Sequence, residues 1–131
     1  IPLLPLYDLP LLTTGVKSLA KFVHKFVKYK ELQNVTILGN SLGGHVGLIY
    51  TLSHQAEVKA LVLTGSSGLY ENAFGGSFPH RITPPDVAIE FNELLPDSEL
   101  YWVDECGHAP MMEQPEKFNV YLKQFLDKHK E

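Results

Sequence analysis

Two stretches of this chain carry residue types able to do nucleophilic chemistry. The first is Gly39-Asn40-Ser41-Leu42-Gly43, a Gly-x-Ser-x-Gly pattern. In such a pattern small neighbours let a serine sit on a strained strand-to-helix turn with its hydroxyl exposed. The second is Cys106-Gly107-His108-Ala109-Pro110, which offers an imidazole. A serine hydroxyl near neutral pH is a poor nucleophile, so acyl transfer needs a base within hydrogen-bond reach, and His108 is the best candidate. The N–H of Leu42, at the start of a helix, would then face the negative charge that develops on the attacked carbonyl oxygen.

The serine pattern alone is weak evidence, since three fixed positions match by chance in roughly 4% of chains of this length at ordinary glycine and serine frequencies. Its surroundings strengthen it greatly. Residues 35–38, Val-Thr-Ile-Leu, form a β-branched apolar run that reads as a strand stopped by Gly39. Residues 41–53 then keep Leu42, Val46, Ile49 and Tyr50 at helical spacing. Upstream, Val16, Leu19, Ala20, Val23, Phe26 and Val27 recur as one helical stripe, with the lysines mostly outside it. Residues 58–64 repeat the continuous apolar strand signal. Such runs, alternating with helices, predict an α/β fold with a mostly parallel sheet flanked by helices.

Residues 66–83, rich in glycine and serine, read mostly as loop. Pro84-Pro85 opens a short helix that presents Val87, Ala88, Phe91 and Leu94 and is closed by Pro96-Asp97. Residues 99–103 are a strand candidate, which places His108 just past the carboxyl end of a strand, where open α/β sheets hold their ligands. A last helix over 115–128 turns Phe118, Leu122, Phe125 and Leu126 inward, with lysines gathering near its C-terminus.

Each of these residues also has a plainer reading. Ser41 could be an ordinary helix cap, a position that favours serine. Gly44 suits close packing of helix on sheet. His45, His24, His54 and His129 read as surface or boundary residues. Cys106 reads as a small apolar side chain rather than a thiol nucleophile.

Composition narrows the classes. The 131 residues are 44% hydrophobic and 20% charged, the balance of an ordinary globular protein, and one domain is the expectation. A net charge of -4 and a pI near 5.8 offer no basic field for nucleic acid. A single cysteine forms no internal disulfide and fits a reducing compartment or indifference to redox state, with the cytoplasm the expected location, and no Cys/His spacing suggests a metal. The apolar opening is short and carries three prolines and an aspartate, against a signal peptide or a membrane span. Without an initiator Met, Ile1 is expected to lie inside a longer precursor.

Gly-Asn-Ser-Leu-Gly-Gly-His, Arg-Ile-Thr-Pro-Pro-Asp-Val-Ala and Gly-His-Ala-Pro-Met-Met-Glu-Gln-Pro-Glu-Lys-Phe-Asn together resemble the α/β-hydrolase superfamily, in particular its bacterial esterases and carbon–carbon bond hydrolases. The resemblance implies a Ser, acid, His triad in that chain order, an acyl-enzyme at Ser41, a small-molecule substrate and no cofactor. It also exposes departures. The aligned acid position is His80, which leaves Glu71 as a relocated acid, with Asp86 and Asp104 as weaker options. Asp86 fits the first turn of its helix. The N-terminal strands, the His-Gly loop that gives a second oxyanion donor, the cap and one late strand are expected to be missing, so that residues 1–131 form a single, partial hydrolase domain. With that strand gone, residues 99–103 would pair beside 58–64 or leave a gap whose edges favour a homo-oligomer. Two functions follow from these features: a serine hydrolase of small esters or related carbonyl compounds, and a catalytically impaired remnant with a binding role or none.

Overall fold

The computed structural model describes residues 15–65 and 85–130. The chain divides into two compact units, Ile1–Ser66 and Ser67–Glu131.

In the first unit, α1 (Val16–Tyr29) leads to β1 (Val35–Asn40), α2 (Leu42–Ser53), a short 3-10 turn (Gln55–Glu57) and β2 (Val58–Thr64). The strands lie side by side and parallel, as their link through a helical crossover requires. Their register runs from Thr36 opposite Ala60 to Asn40 opposite Thr64. Along β1 the side chains alternate: Val35 and Ile37 pack on the core, while Leu38 is about half exposed at 49%.

The core forms where α1 meets α2. Leu19, Ala20 and Val27 of α1 are buried with Val46 and Tyr50 of α2, and Tyr50 is fully enclosed. The i, i+4 spacing of Val46 and Tyr50 gives them one helix face. A buried tyrosine needs a partner for its hydroxyl. Tyr50 donates to Glu57 Oε2 at 2.7 Å, and Lys28 Nζ lies 2.8 Å from the other Glu57 oxygen. His54 stacks on both Tyr50 and His24, with ring centroids 4.9 and 4.0 Å apart. His24 and His54 are half-buried boundary residues, as expected from their neighbours.

The Lys28 ammonium, and then the Tyr50 hydroxyl, lower the Glu57 carboxyl from 4.5 to about 2. Burial, followed by the bond to Glu57, raises the Tyr50 hydroxyl. A depressed folded-state value means that the unfolded chain takes up the proton first as pH falls. The contribution of Glu57 to stability is therefore full above about 4.5 and lost as pH falls through about 2. Glu57→Gln is expected to lower the urea midpoint at pH 7, and its difference from the wild type should shrink towards pH 2. A constant difference across that range would refute the role given to the charge.

The second unit holds α3 (Pro85–Leu94), α4 (Pro110–Glu113) and α5 (Pro115–Lys128). Val87 and Phe91 of α3 and Phe118 of α5 are buried. Asp86 sits in the first turn of α3, as its position suggested. The expected strand at 99–103 does not form, since the segment has no regular structure. Among the described residues the sheet contains β1 and β2 alone, and 99–103 is not part of it. Side chains hold it instead. Tyr101 stacks on Tyr121 of α5 at 5.0 Å, Lys128 Nζ bonds Glu99 at 2.6 Å, and Gln114 Nε2 donates to the Glu105 carbonyl at 3.1 Å.

Among the described residues, no helix is long and apolar enough to cross a membrane.

Candidate active site

The turn between β1 and α2 is built by steric necessity. A Cβ on Gly39 would lie 2.6 Å from Gly43 O and from the N and Cα of Gly44, so only glycine lets the helix start this close to the strand. Further along α2, a Cβ on Gly47 would meet Ile37 Cγ2 at 2.8 Å, which marks the second place where helix and sheet touch. Close packing was expected from Gly44; the structure divides that role among Gly39, Gly44 and Gly47.

Ser41 takes up the bend, with φ 53° and ψ -121°. A positive φ on a residue with a side chain is strained by about 1–3 kcal/mol and persists only where its surroundings enforce it. Here the neighbours do so through hydrogen bonds. The Ser41 N–H donates to the Thr64 carbonyl at 3.0 Å, and the Ser41 carbonyl accepts the N–H groups of Gly44 and His45 at 3.0 and 3.2 Å. Thr64 Oγ1 also donates to Asn40 Oδ1 at 2.9 Å, so the residue before the serine is latched to the end of β2. Asn40 and Thr64 were not singled out by the sequence, because their meeting depends on the strand register.

Ser41 occupies the cap position of α2 but makes no side-chain capping bond, against the plain capping reading. The N–H groups of Leu42 and Gly43 precede the first intrahelical bonds of α2 and mark its positive end. His45, one turn on, is half-buried, and burial lowers its imidazole below the usual value, which favours the neutral ring. An open groove lined by Lys17, Lys21, His24, Ile49, Leu52 and His54 lies towards the far end of α2, beginning at Ile49, about 12 Å of helix beyond Ser41.

In the second unit, His108 stands in an exposed loop between residues 106 and 109, just before α4. The loop is organised by Glu113 of α4. Its Oε2 accepts the Gly107 N–H at 2.6 Å and its Oε1 the Ala109 N–H at 2.8 Å, one on each side of the histidine. These two bonds, the Ala109 one first, lower the Glu113 carboxyl below the usual range, and the nearby His108 imidazole adds to the effect. Burial first, then the Glu113 charge, raises the Cys106 thiol. A raised thiol is a poor source of thiolate, in keeping with a packing role for Cys106. Asp104 lies in the turn before this loop. Glu71 and His80 lie outside the described residues, as does the loop expected at 66–83. Among the described residues no group of three or more His, Cys, Asp or Glu is arranged to hold a metal ion.

Comparison with known proteins agrees with this construction. A family model described as alpha/beta hydrolase fold matches residues 10–79. Over 57 residues, 41% of the chain, the sequence is 37% identical to a 1-acylglycerol-3-phosphate O-acyltransferase of Arabidopsis thaliana. Over 50 residues, 37% of the chain, it is 44% identical to the 2-hydroxy-6-oxo-6-(2'-aminophenyl)hexa-2,4-dienoic acid hydrolase of Metapseudomonas resinovorans. The matches span only 14% and 17% of these two relatives. Among solved structures, MGS-MChE2, an alpha/beta hydrolase enzyme from the metagenome of Mar Chica lagoon sediments, superposes with a TM-score of 0.86 at 37% identity, covering 99% of this chain and 78% of that one. A predicted CIB-like hydrolase of Thermoplasma acidophilum gives a TM-score of 0.73 at 24% identity, covering 86% of this chain and 59% of its own, a likeness of fold. With the strand, glycine turn and helix in place around Ser41, this chain belongs to the α/β-hydrolase family.

Proposed function

We propose that the protein is a serine hydrolase of a small ester or related carbonyl compound, working through an acyl-enzyme. Ser41 attacks the carbonyl carbon, His108 takes the hydroxyl proton, and the Leu42 N–H supports the oxyanion. The imidazolium then returns its proton to the leaving group, and water clears the acyl group with His108 again as base. The backbone of Ser41 is the observation that carries this reading. A serine at φ 53° between a parallel strand and a helix is strained for no packing gain of its own, since its side chain does not cap the helix.

Glu71 is the carboxylate assigned to orient His108, in place of the acid that His80 displaces. The same substitution favours a second reading, a remnant that keeps the elbow's packing without turnover, because loss of the acid alone lowers turnover by about 10⁴. A fluorophosphonate separates the two, because it reacts with activated serines and leaves ordinary ones untouched. The hydrolase reading expects one adduct per chain by intact mass under native conditions. A folded chain that takes up no adduct would establish the remnant.

A further inference from the structure

We propose that Glu113 is a positioning residue for His108, its carboxylate clamping the backbone on both sides of the base. The inference rests on the assignment of His108 as the base.

The geometry is specific. One carboxylate spans the turn, with Oε2 on the Gly107 N–H and Oε1 on the Ala109 N–H, so that the Cys106–Gly107 and His108–Ala109 peptide units, one before and one after the Gly107–His108 link, are fixed to a single rigid group. Hydrogen bonds to an ionised acceptor are about twice as strong as neutral ones, and the Glu113 carboxyl is lowered below its ordinary value by these same backbone bonds. The clamp also leaves little room for error. A Cβ on Gly107 would lie 2.9 Å from Glu113 Oε2 and 3.2 Å from Oε1, so any side chain at position 107 would push the carboxylate away.

The clamp can form because α4 begins at Pro110, directly after the loop, and brings the Glu113 side chain back over the turn. The Ala109 carbonyl accepts the N–H groups of Met112 and Glu113 at 2.8 and 2.9 Å, so the short helix is itself anchored to the residue after the base. A loop histidine in acyl transfer must hold its ring to within a fraction of an ångström, and a 1 Å misplacement can lower the rate about 10²-fold. Gln114 Nε2 bonds the Glu105 carbonyl, two residues earlier than the clamped turn.

The test uses Glu113→Ala, Glu113→Gln and Gly107→Ala in the whole chain, with two readouts. The first is amide hydrogen exchange at residues 107 and 109. The second is the fluorophosphonate reaction, resolved into the limiting rate and the reagent concentration at half that rate. Glu113→Ala and Gly107→Ala should both speed exchange at least tenfold and lower the limiting rate at least tenfold. The half-rate concentration and the fraction of chains that label should stay unchanged. Glu113→Gln, which keeps one acceptor oxygen, should recover part of the rate. A general loss of fold would instead reduce the labelled fraction. Unchanged exchange in Glu113→Ala would overturn the clamp, as would faster exchange with an unaltered limiting rate. If the wild type itself takes up no reagent, it is the assignment of His108 as base that fails, and exchange alone then decides the clamp.

Discussion

Ser41→Ala should abolish fluorophosphonate uptake completely, while His108→Ala should leave a slow residual reaction. The asymmetry follows from what each side chain supplies. On the proposed assignment, alanine at 41 removes the oxygen that forms the phosphonyl ester, so no rate should remain to measure. Alanine at 108 keeps that oxygen on its strained turn, beside the N–H groups at the start of α2, and removes the proposed proton acceptor. Loss of a triad member in well-studied serine enzymes lowers turnover by about 10⁴ to 10⁶, with residual activity from the oxyanion donors. A drop of about 10³ or more in the labelling rate is expected for His108→Ala. Ser53→Ala and Cys106→Ser serve as controls, because Ser53 bonds the Ile49 carbonyl within α2 and the Cys106 thiol is raised. Both controls should react as the wild type does. Uptake by Ser41→Ala at the wild-type rate would place the reactive group elsewhere and remove the elbow from the chemistry.

The largest effect on stability is expected from a single methyl group. Gly39→Ala places its Cβ 2.6 Å from three backbone atoms of Gly43 and Gly44, and backbone cannot rotate away as a side chain can. Relief requires lifting the first turn of α2 from β1, which also loosens the bond from the Ser41 N–H to Thr64. Overpacking of this kind costs 1–3 kcal/mol where side chains can yield, so about 3 kcal/mol or more is expected here. Two other glycines calibrate the claim. Gly47→Ala meets side chains rather than backbone, the Ile37 methyl at 2.8 Å and Leu61 Cδ1 at 3.4 Å, and the helix gains about 1 kcal/mol from alanine, so its net change should be smaller than that of Gly39→Ala. Gly43→Ala meets nothing within 4 Å and should be neutral or stabilising. Urea midpoints in the order Gly43→Ala, Gly47→Ala, Gly39→Ala, from most to least stable, are the expected result. A Gly39→Ala variant as stable as the wild type would mean that α2 is not held against β1 as described.

The elements around Ser41 were legible because local pattern and tertiary role agree. The Val-Thr-Ile-Leu run, the glycine that stops it and the apolar spacing of Leu42, Val46 and Tyr50 each point to the same strand, turn and helix. Residues 99–103 misled because an apolar, aromatic run has strand character only when another strand lies alongside. Here Tyr101 found Tyr121, and Glu99 found Lys128, contacts to a helix that no local period announces. The Asn40 to Thr64 bond was invisible for a similar reason, since it joins residues 24 positions apart through register alone. Glu113 was visible as part of a motif, but its role was not, because it depends on a side chain folding back over a turn.

β2 is fastened at both of its ends to the same helix and its flanks. Where the strand begins, Glu57 holds the hydroxyl of the enclosed Tyr50. Where it ends, Thr64 receives Ser41 and grips Asn40. Sliding by one residue would shift the strand by about 3.3 Å and turn every side chain to the opposite face. Either fastening would be broken by such a slip, and the two guard against it independently. The alignment of the two parallel strands is thereby made single-valued, and Ser41 is placed by both ends of its neighbouring strand as well as by its own turn.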